Sequence, residues 1–316
     1  MGAITTAPVS TSRRSIPSML AFGMVGRRIL AALVALVLFA ATGSAQAAKK
    51  HFLWKVEGPG ASVAYLLGSL HVLTPEFYPL SSEINKAFAG SKTLVEEVDF
   101  DEMNDPAQMM NALGRAMLTD GRTLEQLVAP STFAEVSKRA EKAGLPMMAL
   151  QRMKPWLVAI TLMGPTLQAA GFKAELGVDK HFFDRAKEAG LKRQSLETLV
   201  YQIDRFDQLS PKLQEDLLIS GMKDLDTQVG NVKEMAQQWA AGDVKALEKS
   251  LLVSFDESRE LYDRLLVERN RNWVPQVDAC LQQNAGCFIV VGAAHLVGPD
   301  GLPALLAKKG YQVTQQ

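Results

Sequence analysis

The chain has 316 residues, and its 34 lysines and arginines are balanced by 34 aspartates and glutamates, so that the formal net charge is zero at pH 7. A neutral chain without a basic stripe lacks the electrostatic footprint of a nucleic-acid-binding protein. The composition therefore excludes nucleic acid as a partner.

The first 47 residues have the pattern of a secretory signal peptide. They contain four arginines and no acidic residue, an apolar stretch from Ile29 to about Ala41, and the small-x-small sequence Ala45-Gln46-Ala47. The apolar stretch covers about 13 residues, whereas a helix that crosses a membrane needs roughly 20. We therefore expect cleavage near Ala47 and a periplasmic or secreted protein without a stable membrane span; an uncleaved N-terminal membrane anchor is the alternative.

Cleavage would remove four of the 34 basic side chains and would leave 30 basic against 34 acidic ones, a net charge of −4. The length of the remaining segment, residues 48–316, suits a single domain with an insertion.

The mature chain begins with a region that is predicted to be rich in strands. His51 to Val56 and Val63 to Leu67 are strand candidates, and the second one has the apolar run of a buried strand. A helix is predicted from Leu80 through Ala89, since serine stands at the cap and a glycine follows the end. Lys92 to Val98 is the next strand candidate.

Residues 101–284 change to helical periodicity, with one β-like interruption at Lys192–Leu196. The last 30 residues return to an α/β pattern. They contain a strand candidate at 287–291, a helix from Leu302 to Lys309 and an edge strand at Tyr311–Thr314. The sequence thus predicts an α/β fold in which a small central sheet is built from both ends of the mature chain, with a large helical insertion at about 101–284. The helix candidates of the insertion are Pro106–Leu118, Ser131–Ala143, Pro155–Gln168, Asp179–Ala189, Thr198–Gln208, Pro211–Met222, Val232–Ala240 and Glu257–Asn284.

The two cysteines of the chain, Cys280 and Cys287, lie close together before and at the start of the last buried strand candidate. In an exported protein such a pair is typical of a disulfide that closes a small loop. Two thiols without a neighbouring histidine supply only half of a zinc site. A structural disulfide is therefore predicted.

The pattern Gly-x-x-His occurs twice, each time at the end of a buried strand candidate. The first copy places Gly68 and His71 near one end of the mature chain, and the second places Gly292 and His295 near the other. Open α/β sheets place ligands and catalytic groups at the carboxyl ends of their strands, and a glycine there permits a tight turn that a side chain would block. We expect the two imidazoles to meet in one site; a pair of packed core histidines is the alternative.

A carboxylate from a neighbouring strand would complete this set. Glu96 and Glu97 are consecutive on a strand candidate, so their side chains point to opposite faces and only one of them can reach a given pocket. The alternation alone does not say which. Two histidines and a carboxylate around an open position match a hydrolytic metal site. The same trio could also act without a metal, with one histidine as general base and the glutamate orienting it.

An ordered set of motifs over about 50–316 resembles the TraB/PrgY/GumN family, which includes the Tiki proteases and is related in fold to erythromycin esterases. One Gly-x-x-His alone is a weak signal, whereas the ordered set is specific. The motifs are Leu67-Gly68-Ser69-Leu70-His71, Leu94-Val95-Glu96-Glu97-Val98-Asp99, Lys154-Pro155-Trp156, Gly177-Val178-Asp179, Leu196-Glu197-Thr198 with Gln202, Glu268-Arg269-Asn270 and Val291-Gly292-Ala293-Ala294-His295-Leu296.

The resemblance implies hydrolysis of a peptide or a small ester. It places the motif histidines on His71 and His295, the strand glutamate on Glu97 and a late arginine on Arg269. The Tiki members depend on Mn²⁺ or Co²⁺, which implies a divalent metal (Mn, Co or Zn) held by the two histidines and the glutamate. The related esterases use His, Glu and Arg on a water, which implies a metal-free alternative. The arginine would steady a developing oxyanion; a solvated place in its charged helix is the other interpretation.

Asp179 and Glu197 are expected to orient a histidine or the metal without contacting the substrate, and a helix cap is the alternative for Asp179. His181 is expected to pack beside the phenylalanines that follow it, and His51 is expected to be exposed. The second hypothesis for function, from a different class, is a non-catalytic envelope protein that binds a peptide or a saccharide in the same pocket.

Overall fold

The computed structural model describes Gly2 and residues 50–223, 225–255, 258–283 and 285–316. Apart from Gly2, the predicted signal peptide lies outside the described residues. None of the helices in the described ranges has both the length and the apolarity that a membrane crossing requires.

A six-stranded sheet forms the centre of the described chain, and its middle strands, β2 and β5, come from the two ends of residues 50–316. β2, β5, β3 and β4 run parallel, whereas β1 runs antiparallel to both of its neighbours, β2 and β6. The predicted α/β fold is thereby confirmed, with each strand within two residues of its predicted bounds. The strands are β1 (Leu53–Glu57), β2 (Val63–Ser69), β3 (Thr93–Glu96), β4 (Lys192–Ser195), β5 (Cys287–Gly292) and β6 (Gln312–Gln315), in the order β4-β3-β5-β2-β1-β6.

The segment between β3 and β5 is mainly helical, as predicted. Pro is the first residue of several of these helices, where its missing N–H costs nothing. The helices of the described chain are α1 (Ser82–Ala89), α2 (Phe100–Asn104), α3 (Pro106–Ala116), α4 (Leu124–Leu127), α5 (Pro130–Lys142), α6 (Met147–Leu150), α7 (Pro155–Ala169), α8 (Val178–Glu188), α9 (Leu199–Asp207), α10 (Pro211–Met222), α11 (Leu225–Ala240), α12 (Val244–Leu252), α13 (Arg259–Tyr262), α14 (Glu268–Gln282) and α15 (Leu302–Lys308).

Several helices differ from the prediction. The short helices α2, α4 and α6 were not predicted, and α11 begins at Leu225, before its candidate at Val232–Ala240. The single candidate at 257–284 is divided into α13, a π-helical turn and α14. The helix α12 was not predicted, although its start carries clear signals. Gly242 has a φ of +66°, which ends α11, and Asp243 accepts a hydrogen bond from Ala246 N–H, which caps α12. Gly242, which ends α11, and Asp243, which caps α12, are adjacent. Only three residues therefore separate the two helices, and the sequence shows no recognisable loop between them.

The sheet is covered on both faces. Phe288 of β5 contacts Phe88 of α1 and Phe182 of α8, with ring centroids 5.4 and 4.9 Å apart. Ile289 follows it in the strand and points to the opposite face, where it lines a cavity together with Val277 of α14. A parallel sheet needs helices on both faces, and its central strand β5 is buried at all six positions. The insertion has a second hydrophobic core of its own, formed by buried side chains such as Leu124, Val136, Val158, Leu162 and Leu218.

The first motif glycine is required by packing. Gly68 lies inside β2 and is not among the glycines with positive φ in the described chain, so the predicted reason, a tight turn, is wrong. A Cβ at this position would lie 2.3 Å from the ring of Phe52 and 3.2 Å from Ala293 Cα. Trp239 of α11 donates its indole N–H to Gly68 O at 2.7 Å. The absence of a side chain thus lets β2 approach the second motif closely.

The predicted disulfide between Cys280 and Cys287 is confirmed, and it joins the end of α14 to the start of β5. Replacing both cysteines with alanine is expected to lower the free energy of unfolding by about 2–3 kcal/mol, because the short cross-link restricts the unfolded chain. Urea unfolding of the oxidised protein measures this difference, and the reduced wild type should behave like the double variant. Equal stabilities of the oxidised wild type and the variant would contradict the expectation.

Candidate functional site

The carboxyl ends of the parallel strands gather the predicted site residues at one edge of the sheet. β2 and β5 are neighbours, with Ser69 opposite Gly292, so the two Gly-x-x-His motifs lie side by side. Glu97 follows β3 on the other side of β5, and Glu197 follows β4. Arg269 reaches the same place from α14. Remote parts of the chain thus meet at the edge where α/β sheets place their functional groups.

His71 is held by Asp179 through one nitrogen. Its Nδ1 lies 2.7 Å from Asp179 Oδ2, and 64% of its side chain is exposed. Asp179 lies in the first turn of α8 and makes no helix-cap hydrogen bond with its side chain. The negative charge of Asp179 raises the pKa of His71 to about 9. In either protonation state Nδ1–H donates to the carboxylate, and Nε2 is directed away from it.

His295 is buried, and both of its nitrogens are engaged. It lies in the short 3₁₀ turn Ala293–Leu296 and is 3% exposed. Nδ1–H donates to Asn270 Oδ1 at 2.7 Å, and the amide is fixed in this orientation because its Nδ2 donates to Asp300 O. Nε2 therefore accepts, from Arg269 Nη1 at 3.0 Å. Burial and the arginine charge lower the pKa of His295 to about 3, so it is a neutral imidazole whose one lone pair is taken.

Arg269 uses all five of its N–H groups inside the protein. Nε donates to Glu197 at 3.1 Å, and Nη2 donates to Glu197 Oε1 and Glu97 Oε2, both at 2.6 Å. Nη1 donates to Leu265 O at 3.1 Å and to His295 Nε2. The predicted contact of Arg269 with an oxyanion needs a free N–H group, and in this arrangement none remains.

A π-helical turn, Asp263–Val267, precedes α14 and supplies one of these acceptors. Glu268 N–H donates to Asp263 O, five residues back, and Leu265 O accepts from the guanidinium. Such turns occur frequently at functional sites because the extra residue redirects backbone groups. No feature of the sequence signals this one.

Glu97 is a buried carboxylate that three donors hold. Gly292 N–H donates to Oε1 at 2.5 Å, while Arg269 and Gln202 Nε2 donate to Oε2 at 2.6 and 3.1 Å. Burial opposes ionisation, but the positive charge of Arg269 and the backbone N–H outweigh it and lower the pKa of Glu97 to about 2. Of the two consecutive glutamates, Glu97 is thus the one that faces the histidines, as the family motif implied.

The second motif glycine lies where the three predicted metal ligands converge. A Cβ at Gly292 would be 3.2 Å from Glu97 Oε1, 3.6 Å from His71 Nε2 and 3.6 Å from His295 Cδ2. With a φ of −51° the backbone would accept any residue, so space and not conformation requires a glycine here. At this point His71 presents a nitrogen, whereas the nearest atom of His295 is a carbon.

The predicted three-ligand metal set is not formed. Among the described residues, no group of three or more His, Cys, Asp or Glu side chains could hold a metal ion. The physical reason is that His295 Nε2 has one lone pair and accepts from Arg269 with it. A hydrolytic metal site generally has three protein ligands, and His71 and Glu97 supply two. The residues as arranged therefore do not fit Mn, Co or Zn.

Two cavities meet at His71. The Glu96 cavity, of about 260 Å³, lies on the side of β3 and α8, and the Arg269 cavity, of about 370 Å³, lies on the side of the second motif. Both are lined by Ser69, His71, Glu97 and Gln202. An extended ligand that crosses His71 can therefore occupy both cavities at once.

The remaining histidines lie away from this edge. His181 packs against the rings of Tyr78 and Phe182, with centroids 5.0 Å away in each case, as expected. The prediction that His51 is exposed is wrong. It is 8% exposed, and its Nε2 lies 3.3 Å from a Glu83 carboxylate oxygen. The backbone of His51 pairs with the end of the chain beside β6, and this pairing buries it.

Sequence reasoning assigned no role to Asn270 or to the amide of Gln202, which contact His295 and Glu97 directly. Both stand in or beside the family motifs. The one signal for Asn270 was its position directly after Arg269 in the same motif. Nothing in the helical pattern indicates that Arg269 and Asn270 are buried, with exposures of 7% and 1%.

Comparison with known proteins identifies the family of the chain. The family model described as the TraB/PrgY/gumN family matches residues 52–315. The chain belongs to this family. It is similar to the uncharacterized protein YbaP of Shigella flexneri and to that of Escherichia coli (strain K12), with 25% identity over 260 residues that cover 81% of this chain and 93% of each relative. No solved structure matches significantly. The family assignment made from the motifs is thus confirmed, and the names of these relatives state no activity.

Proposed function

We propose that this member of the TraB/PrgY/gumN family is an exported hydrolase of peptide or small ester bonds, in which His71 activates a water molecule without a metal ion. The observation that carries the proposal is the contrast between the two motif histidines. His71 Nε2 is free beside Glu97 and Gly292, whereas His295 Nε2 accepts from Arg269. One free imidazole backed by a carboxylate is the arrangement of a general base and its orienting group.

The proton transfers follow from the hydrogen bonds of His71. Its neutral form takes a proton from water through Nε2, and Asp179, which accepts from Nδ1, stabilises the imidazolium that forms. Glu97 stays ionised because its pKa is about 2, so its negative charge stabilises the same cation. After the water attacks the carbonyl carbon, the imidazolium gives its proton to the leaving amine or alcohol.

Gln202 is the group that we assign to the developing oxyanion. Its side chain lines both cavities, and one of its two amide N–H groups donates to Glu97 at 3.1 Å. The other N–H can donate to the substrate oxygen, whereas those of Arg269 are all engaged. Arg269 is then a positioning residue, which holds Glu97 and His295 in place through its hydrogen bonds to both.

Export is part of the proposal. The basic and apolar pattern of residues 1–47 supports it, with cleavage near Ala47. The disulfide between Cys280 and Cys287 also supports it, because such bonds persist in oxidising compartments.

Chelation is expected to leave the hydrolytic activity unchanged within about twofold, because no step uses a metal-bound water. The measurement compares native and EDTA-treated protein on a panel of p-nitrophenyl esters and fluorogenic peptides, with elemental analysis of both samples. Activity that disappears on chelation and returns with Mn²⁺, Co²⁺ or Zn²⁺ would overturn the metal-free assignment. A panel without any hydrolysis, together with binding of a peptide or saccharide, would favour a non-catalytic binding protein.

Gly292→Ala is expected to lower kcat/KM by about 10²-fold, since the added methyl group occupies the point between Glu97 and His71 where the water must lie. Gly114→Ala is the matched control, because a Cβ there meets no atom within 4 Å. Circular dichroism establishes that both variants fold. Activity of Gly292→Ala within a factor of three of the control would contradict this position for the water.

A further inference from the structure

The geometry points to the Glu96 cavity as a subsite for a primary alkylammonium group of the substrate, such as a lysine side chain. This inference rests on the proposed function, since it assigns the chemistry of one side of the hydrolysed bond. It concerns Glu96, Ser69 and the free oxygen of Asp179, none of which takes a proton in the proposed reaction.

Three polar side-chain atoms of residues that line the Glu96 cavity lack hydrogen bonds. Ser69 Oγ, Glu96 Oε1 and Asp179 Oδ1 are each buried from solvent and have no partner in the described part of the chain. Ser69 and Glu96 are each 2% exposed, and all three residues line the cavity. A buried polar atom without a partner costs free energy. Three such atoms at one cavity therefore indicate a place for a ligand that pairs with them.

The ligand must be a donor. Carboxylate oxygens accept hydrogen bonds, and a serine hydroxyl can accept as well as donate. An ammonium group has three N–H donors and no acceptor, so its number of donors equals the number of unpaired oxygens. A carbonyl or a phosphate could accept only from Ser69 Oγ–H and would leave the two carboxylate oxygens unpaired.

The charge around the cavity also favours a cation. Burial and the neighbouring charge of Asp99 raise the pKa of Glu96 to about 8, against the charge of Arg193, which lowers it. Glu96 therefore holds a proton at pH 7 in the free protein, and a bound cation would stabilise its ionised form. The nearby cations have other carboxylate partners: Arg193 pairs with Asp99 and Asp101, although its Nη1 forms no hydrogen bond within the described residues, and Lys180, at the cavity wall, pairs with Asp184 at 2.5 Å. A bound ammonium group would supply the missing positive charge.

Part of the wall is apolar. This part is formed by Val98, Phe100, Met103, Ala174 and Val290. A volume of about 260 Å³ suits a short methylene chain that ends in a charged group. A lining with apolar and polar parts matches the two parts of a lysine side chain, its aliphatic stem and its ammonium group. The position next to His71 makes this side chain a neighbour of the hydrolysed bond.

Equilibrium binding tests the subsite independently of hydrolysis. The probes are Nα-acetyl-lysine amide and its isostere without charge, Nα-acetyl-norleucine amide, titrated into the wild-type protein and followed by ligand-observed NMR. We expect the lysine probe to bind at least about tenfold more tightly, because its ammonium group donates charge-assisted hydrogen bonds to three atoms that have no partner in the free protein. Equal affinities, or no measurable binding of the lysine probe, would overturn the proposal.

Glu96→Gln keeps the shape of the side chain but cannot ionise when an ammonium group binds, and it is expected to reduce the preference for lysine to less than about threefold. Glu188→Gln is the matched control, because it makes the same substitution at an exposed position of α8 outside the cavity. Retention of the full preference in Glu96→Gln would overturn the subsite. If that variant does not fold, Ser69→Ala replaces it, with an expected loss of at least about threefold in affinity for the lysine probe; an unchanged affinity would count against the proposal in the same way.

The two proposals fail separately. A preference for lysine that depends on Glu96 in a protein that hydrolyses nothing would refute the hydrolase and leave the subsite in place. Hydrolysis that depends on His71, without any preference for lysine over norleucine, would refute the subsite and leave the hydrolase in place.

Discussion

His71→Gln is expected to lower kcat/KM by about 10³-fold, because glutamine cannot take the proton of the attacking water. The fold should not change, since 64% of the histidine side chain is exposed and few packing contacts are lost. The measurement is initial-rate kinetics on the best substrate of the ester and peptide panel, with the melting temperature of the variant as a test of folding. His181→Gln is the matched control, because it removes a histidine that packs against aromatic rings outside the site.

The pH profile provides a second measurement on the same residue. A general base acts in its neutral form, so kcat/KM of the wild type is expected to rise with pH until it passes the His71 pKa of about 9. Asp179→Asn removes the charge that raises this pKa, and the rising limb should then move to lower pH. A profile of Asp179→Asn that coincides with that of the wild type, or a His71→Gln variant with more than a tenth of wild-type activity, would exclude His71 as the base.

Arg269→Met is expected to lower the free energy of unfolding by about 3–5 kcal/mol at pH 7, because it leaves Glu97 and Glu197 buried without their shared cation. Methionine is about as long as the aliphatic part of the arginine side chain. The decrease in the free energy of unfolding therefore reports mainly the missing charge and the hydrogen bonds of its five N–H groups. Urea unfolding followed by tryptophan fluorescence measures the change. Arg271→Met is the matched control, since its side chain is exposed two residues further along α14, and it should alter the free energy by no more than about 0.5 kcal/mol.

The direction in which the stability loss of Arg269→Met changes with pH follows from the pKa of Glu97. Its pKa falls from an ordinary 4.5 to about 2 on folding, so its contribution to stability is fully present above pH 4.5 and is lost as the pH falls towards 2. Much of the depression of this pKa comes from Arg269. The difference in stability between the wild type and Arg269→Met should therefore shrink across that window. A difference that stays constant from pH 7 to pH 3, or a loss below about 1 kcal/mol at pH 7, would mean that the arginine is not essential to the folded site.

The sheet could be predicted from the sequence because its signals are local. Short apolar runs ended by glycine, such as that of β5, are typical of buried parallel strands. The proximity of His71 and His295 then followed from a general rule about the carboxyl ends of strands. The alternation of side chains was a poorer guide, since Glu96 and Glu97 both line the Glu96 cavity. The family motif identified Glu97 as the one that meets the histidines.

The chemistry of the site could not be predicted because it depends on the directions of lone pairs. The pattern Gly-x-x-His is the same in both motifs, yet His71 is left with a free Nε2 and His295 is not. That difference arises from Arg269 and Asn270, which come from a helix distant in sequence. The composition of α14 indicated a solvated, charged face, and the π-helical turn that brings the helix into the interior has no sequence signature that we recognise.

The pairing of β2 with β5 has a consequence for the timing of activity. Ser69 and Gly292 are hydrogen-bonded neighbours although more than 200 residues separate them along the chain. Closing so long a loop is slow, and it cannot begin before β5 has been synthesised. Under the proposed function, a nascent chain without β5 therefore has His71 but lacks the Gly292 N–H that donates to Glu97, and it is expected to be inactive until β5 pairs with β2.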